Sequence, residues 1–274
     1  MVKKTALLAC VLCAGSVYAQ WDDSRSVTSF ESQPWRIAPE VSHYRYREPG
    51  TMTNEGTLYG IVASYLFDDP AEGPCSWLNV GGNDTITFEG RLSFGEVDYD
   101  GSYMNGGPLS MNGDDDLLID LRLLWGRPLY DIELFDAVHV GLGYRYLGDD
   151  SSSHPAGYRR QSNYLYIPLG SRKDFELADR WALSLTGEVD VLLIGRQISH
   201  LSDVDPIYPD VRNWQWPGFG LAFTAEVLRR GEDVSLGLAP FVRYWWVDDS
   251  STNSGYYEPE NNTIEYGLSF VVRF

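Results

Sequence analysis

Two short segments hold the residue types that could do chemistry: Val97-Asp98-Tyr99-Asp100 and Ser199-His200-Leu201-Ser202-Asp203-Val204-Asp205. Carboxylates beside an imidazole can activate a water. The His takes the proton, one Asp orients the ring, and a second pair of Asp holds the water. The candidate catalytic set is therefore Asp98, Asp100, His200 and Asp205. It requires a scaffold that brings two sequence-distant segments to one rim.

That scaffold is legible from the C-terminal end backwards. Over 262–274, Ile264, Tyr266, Leu268, Phe270, Val272 and Phe274 alternate with Thr263, Glu265, Gly267, Ser269 and Arg273, and only Val271 breaks the period. Period-2 alternation puts an apolar and a polar set on opposite faces of a strand. Nine more segments share the pattern: 41–47, 57–67, 85–94, 117–127, 137–147, 163–172, 181–193, 217–227 and 234–247. No helix-length apolar run follows residue 19, and mean hydropathy is −0.26. The expectation is an all-β fold, a ten-stranded antiparallel transmembrane β-barrel with apolar residues towards lipid and polar residues towards the lumen.

An even strand count puts both ends of the barrel domain on the periplasmic side, with long outer loops at 101–113, 148–159, 201–212 and 248–261. One long connection, 68–84, lies on the short-turn side. Inward positions are expected to carry Arg45, Arg47, Glu89, Arg91, Asp120, Arg122, Arg145, Arg172, Glu188, Asp190, Glu226, Arg243, Glu265 and Arg273. Barrels of this size lie near the filled end of the range, so the lumen should be ion-paired and largely closed. Parity puts Asp98 and Asp100 on the lipid-facing set with Phe88, Leu92 and Phe94, unless a bulge intervenes near Gly95. His200 shares parity with the inward set of Glu188, Asp190 and Arg196.

Lys3 and Lys4, the apolar stretch 5–15 and Val17-Tyr18-Ala19 read as a signal peptide over 1–19, cleaved near Ala19-Gln20, with the barrel domain over 20–274. A lipobox reading of Leu7-Leu8-Ala9-Cys10 is the alternative. Cys10 and Cys13 leave with the leader and Cys75 stays unpaired. Net charge is −18, or −20 once Lys3 and Lys4 are removed, which excludes nucleic acid as a partner. Gly-rich phosphate loops, zinc spacing and EF-hand spacing are absent, so no cofactor and no metal site is expected. The acidic loops, with Asp114-Asp115-Asp116 among them, read as solvated. Loose divalent binding at the lipopolysaccharide surface is the alternative.

In strand number, length and rim residues the chain resembles the omptins, the outer-membrane endopeptidases, and more broadly the outer-membrane adhesin group. The resemblance implies an Asp-x-Asp pair in the second outer loop, matched by Asp98 and Asp100, and an Asp-x-His pair in the fourth. Asp205 matches that Asp; the His position is Ile207, and His200 lies seven residues earlier.

The first functional expectation is an integral outer-membrane barrel with a filled lumen. Its role would be non-enzymatic, surface, structural or adhesin-like, and carried by acidic aromatic loops (Tyr158, Tyr256, Tyr257). An omptin-like endopeptidase and a narrow solute pore are the alternatives. The expected partners are outer-membrane lipid and lipopolysaccharide, and an extracellular protein or matrix ligand.

Overall fold

The computed structural model describes residues 33–67, 84–103, 106–130, 132–253 and 255–274. The leader expected at 1–19, all three cysteines and positions 68–83 of the long connection lie outside the described residues. Eleven strands follow in order: β1 (Trp35–Glu48), β2 (Met52–Phe67), β3 (Thr85–Ser102), β4 (Pro108–Pro128), β5 (Ala137–Asp150), β6 (Arg159–Ala178), β7 (Trp181–Ser199), β8 (Val211–Gln215), β9 (Gly218–Arg229), β10 (Ser235–Val247) and β11 (Asn261–Arg273).

Neighbouring wall strands pair antiparallel, and β11 pairs back onto β1, so the sheet closes. β8 and β9 both pair with β7 and form one wall position interrupted at Pro217, which has no N–H to give a ladder. The result is a closed ten-stranded barrel, as the alternation predicts.

Its outer surface is apolar. On β7, Val189, Val191 and Leu193 stand 42–45% exposed while Glu188, Asp190 and Leu192 between them are buried. Leu92 and Phe94 on β3, Leu121 and Leu123 on β4, and Leu268 and Phe270 on β11 repeat the pattern. Such a belt matches the hydrocarbon of a bilayer, and closure leaves no strand edge whose backbone groups lipid would strand unbonded. At the short-turn end, aromatics flank the belt. Trp35 meets Tyr65 at 4.8 Å, Tyr65 meets Phe67 at 4.5 Å, and Trp35 stacks on Phe274 at 6.5 Å between ring centroids. Trp35 and Phe274 also exchange both backbone hydrogen bonds, at 3.1 Å each.

The strands outrun the membrane. β4 has 21 residues and β6 has 20, against the roughly 9–11 a tilted membrane strand needs. On β4 the excess lies at the end with the longer loops, the outer end by the short-turn rule, whereas on β6 residues 173–178 extend the short-turn hairpin with β7. The loop expected over 101–113 is largely a hairpin extension, with Ser102 paired to Pro108 and Gly101 to Leu109.

Two inward assignments are corrected. Arg45 and Arg47 face outward, while Tyr44 and Tyr46 are buried inside. Val41 sits in the lipid belt with the same parity as both arginines, and further up the strand that outer face stands above the belt, where charge is at no disadvantage.

The second correction concerns β7. Leu193 is an extra residue between the pairs Leu165–Ile194 and Tyr166–Leu192. This bulge flips the parity beyond it. Gln197 and Ser199 therefore point inward, and Arg196 no longer shares a face with Glu188 and Asp190.

Candidate functional site

The four rim residues sit in two separate places. Asp98 and Asp100 are exposed on the outer face of β3. A bulge does occur beside them, but in β4, at Asn112-Gly113, so β3 keeps its parity. Gly113 adopts φ +74°, a conformation that favours glycine, and its N–H donates to Asp98 Oδ1 at 3.2 Å. Ser110 Oγ donates to Asp100 Oδ1 at 3.3 Å. Both carboxylates line an outer-wall groove with His43, Arg45, Arg47 and Glu55.

His200 follows β7 at the start of the fourth outer loop, just before a short 3-10 helix (Leu201–Asp203). Its Nδ1 pairs with Asp210 Oδ2 at 2.9 Å, and Ser202 Oγ donates to Asp210 Oδ1 at 2.7 Å. The hydrogen bonds from Ser202 and His200 hold the Asp210 carboxyl below the usual range. Asp203 is bonded twice by the Arg159 guanidinium, which lowers its carboxyl likewise. Asp205 Oδ1 accepts from the Ile207 N–H at 3.0 Å, a local turn contact. The imidazole thus has a carboxylate partner that the sequence motif does not name, Asp210.

The lumen holds the most developed constellation. At mid-height, Arg91 Nε donates to Glu40 Oε1 at 2.6 Å, and its Nη2 bonds Glu265. Arg243 reaches the same two carboxylates at 3.2 and 3.3 Å. Ser42 Oγ adds a donor to Glu265 at 3.0 Å. Four strands (β1, β3, β10 and β11) contribute to this layer.

Beneath it lies a cavity of about 310 Å³, most of whose charges are paired, while Asp190 Oδ1 is buried without a hydrogen-bond partner. Arg122 bonds Glu89, and Glu188 at 2.5 Å; His139 Nε2 meets Glu188 at 2.7 Å; Glu226 is shared by Arg36 at 3.0 Å and Arg273 at 2.9 Å. Tyr166 Oη donates to Asp120 at 2.6 Å, and its ring lies against Gly143, where a Cβ would come within 2.2 Å. Of the expected inward charges, all but Arg45 and Arg47 take part in or line this interior.

Above the layer the lumen is packed rather than wet. Tyr44, Tyr46, Met52, Leu58, Val97, Leu118 and Leu147 form one buried cluster. Tyr164, Tyr166, Leu192, Trp245 and Val247 form another, which reaches down to the cavity through Tyr166 and Trp245. Arg160 crosses the top of the lumen, to Glu48 at 2.7 Å and Asp149 at 2.8 Å. Glu258, in the β10–β11 connection, is buried beside them. Burial and the Glu48 charge raise its carboxyl to about 8, against the lowering pull of Arg160. Sequence reading missed Glu40, His139, Glu48, Asp149 and Arg160 as partners. The signal available was that each shares its strand's inward parity or continues it.

No group of three or more His, Cys, Asp or Glu side chains able to hold a metal ion occurs among the described residues. No family model and no curated protein matches the chain. Among solved structures, the chain is similar to Neisserial surface protein A at 12% identity and TM-score 0.36, over 88% of this chain and 97% of that one. It is similar to the outer membrane protease OmpT from Escherichia coli at 10% identity and TM-score 0.45, over 90% and 99%. It is similar to the β domain of the Bordetella autotransporter Brka at 10% identity and TM-score 0.40, over 88% and 99%. At these identities no residue role transfers.

Proposed function

We propose that this chain is an integral protein of the bacterial outer membrane whose barrel is closed, and whose role is non-enzymatic and carried by its outer loops. The observation that carries the reading is the mid-lumen layer of Glu40, Arg91, Arg243 and Glu265. Its charges are bonded to one another across the bore, with tyrosine-rich packing above. A lumen filled this way leaves solute no open path, so contact with the surroundings falls to the rim. There Tyr103, Val204, Ile207, Tyr208 and Tyr257 are exposed among acidic residues, with Ile207 at 79%. Exposed apolar side chains rimmed by charge suit an extracellular protein or matrix ligand. Lipid and lipopolysaccharide would cover the wall.

Planar-bilayer recording of the refolded protein tests closure: no single-channel steps are expected, and regular steps would replace this reading with a narrow pore. Cells with the 201–210 loop shortened should lose adhesion to matrix-coated surfaces; adhesion equal to the parent would remove the adhesin role. The endopeptidase reading is supported by one observation, the Asp210–His200 pair, an imidazole already oriented by a carboxylate. A peptide-library digest should give no cleavage. Cleavage abolished by both His200→Ala and Asp98→Ala would establish the enzyme instead.

A further inference from the structure

The fourth outer loop, residues 200–210, carries a β-turn that holds an apolar residue out in water. The Tyr208 N–H donates to the Asp205 carbonyl at 2.9 Å, and the Ile207 N–H donates to Asp205 Oδ1 at 3.0 Å. Asp at the first position and Pro206 at the second are residues such a turn prefers. Ile207 follows them at 79% exposure, the highest of any large apolar side chain among the described residues. Val204 and Tyr208 flank it, half-buried to exposed. At that exposure Ile207 gains nothing from burial on folding.

The loop is braced from beneath. Arg159 forks onto Asp203 through Nε at 2.9 Å and Nη2 at 3.0 Å, and the Arg159 N–H donates to the same carboxylate at 3.1 Å. The His200 N–H donates to the Arg159 carbonyl at 2.9 Å. Asp210 ties the end of the loop to its start through His200 and Ser202. Pro206 and Pro209 restrict the chain further. A surface fixed in this way loses little freedom on binding.

Charge supplies an independent observation. None of the five outer connections (49–51, 103–107, 151–158, 200–210 and 248–260) carries a lysine or arginine. All their carboxylates fall in the last two, which adjoin: Asn253 Nδ2 donates to the Arg212 carbonyl at 2.8 Å, and Gln215 Nε2 to the Asp248 carbonyl at 3.3 Å. Asp203 and Asp210 are paired with Arg159 and His200, and Glu258 is buried. Asp205, Asp249 and Glu260 are exposed and bonded to no cation among the described residues. Arg212 is exposed on the outer wall of β8, beneath the loop.

We propose that Ile207 anchors a protein-docking surface whose partner offers an apolar recess ringed by lysine or arginine side chains. The inference rests on the reading that the rim meets the surroundings, and adds to it the anchor and the sign of the partner's charge. Binding energy concentrates in a central side chain that is desolvated on contact. Charges around it steer the encounter and reject surfaces of like sign.

The test uses cells displaying the full chain, on surfaces coated with basement-membrane extract. Parent adhesion should fall as salt rises from about 50 to about 500 mM, because screening shortens the reach of the rim charges. Ile207→Ala should raise the coating density needed for half-maximal adhesion about tenfold. Asp205→Asn with Asp249→Asn and Glu260→Gln, which keeps an acceptor oxygen in the turn, should adhere weakly and without salt dependence. All four positions are exposed, so both variants should keep the folded, heat-modifiable gel form. Ile207→Ala adhering like the parent, or parent adhesion indifferent to salt, would overturn the proposal and leave the adhesin role standing. No adhesion by the parent would remove both. Binding of the refolded chain to phosphatidylcholine vesicles, lost in Ile207→Ala, would assign the side chain to a membrane and overturn the protein partner.

Discussion

Arg91→Met is the sharpest perturbation of the mid-lumen layer. Arg91 is 5% exposed, and Glu40 and Glu265 are 1% exposed, so the three charges exist in each other's field rather than in water's. Removing the guanidinium leaves two carboxylates to share Arg243, at 3.2 and 3.3 Å. Breaking a buried pair from one side costs about 3–5 kcal/mol, mostly for the charge left behind. Ser42, Ser93 and Ser269 hydroxyls remain within 3.0–3.4 Å of the carboxylates and moderate that cost, so about 3 kcal/mol is expected. Arg91→Met with Glu265→Gln should recover most of it, because Glu40 then keeps Arg243 to itself. Urea unfolding in lipid vesicles, followed by tryptophan fluorescence, reads both as midpoint shifts at constant slope. A single variant that loses under 1 kcal/mol, or a double variant as unstable as the single, would refute the claim that the layer's energy lies in charge compensation.

Glu258→Gln should stabilise the protein at high pH and not at low. The folded carboxyl is raised to about 8 above its ordinary 4.5, so the protonated form favours folding below 4.5 and that advantage is lost as pH rises through 8. Glu48 and Arg160 face it most directly, and Tyr46, Tyr158 and Tyr164 feel its charge. Melting temperatures of the two proteins should coincide near pH 4 and diverge by pH 9; parallel curves would contradict this. Deleting Leu193 joins inward Leu192 directly to outward Ile194, so Gln197 and Ser199 keep their inward places and their partners on β6. The refolded, heat-modifiable gel form should be retained, and its loss would show that the bulge does more than set the register. Phe274→Ala removes the stack on Trp35 and should cost about 1 kcal/mol, typical of an aromatic pair, by the same urea assay. An unchanged midpoint would show that the stack contributes nothing.

What was legible in the sequence was the wall. Residues such as Val189, Val191 and Leu193 alternate with Glu188 and Asp190 because lipid and lumen demand opposite chemistry on adjacent residues, and no other environment writes that period so plainly. Limits of the belt were not legible. Period 2 says which residues share a face but not where along the strand that face leaves the lipid, so Arg45 and Arg47 went to the wrong side. Bulges were equally hidden: Leu193 is chemically an ordinary strand residue, yet it reverses every position after it. Pairing across the bore was beyond reach for a third reason. Arg91 finds Glu40 and Glu265 through closure of the ring, and composition does not encode which strands will face each other. At the rim, Asp98 accepts from the Gly113 N–H of the β4 bulge and His200 pairs with Asp210, contacts that spacing along the chain does not encode.

The seam between β1 and β11 has a kinetic consequence. Its contacts bridge long stretches of chain; the Ser42–Glu265 hydrogen bond spans 223 residues. In equilibrium terms so large a loop adds little, since each doubling of length costs only about 0.6 kcal/mol. Before the seam joins, however, two full strand edges have no partners, and lipid offers none. Strand-by-strand insertion would strand both edges in hydrocarbon, so joining must precede or accompany entry. The Glu40–Arg91–Glu265–Arg243 layer draws its members from both sides of that seam. It can assemble only when the last edges meet, and so acts as a latch that engages on completion of the ring.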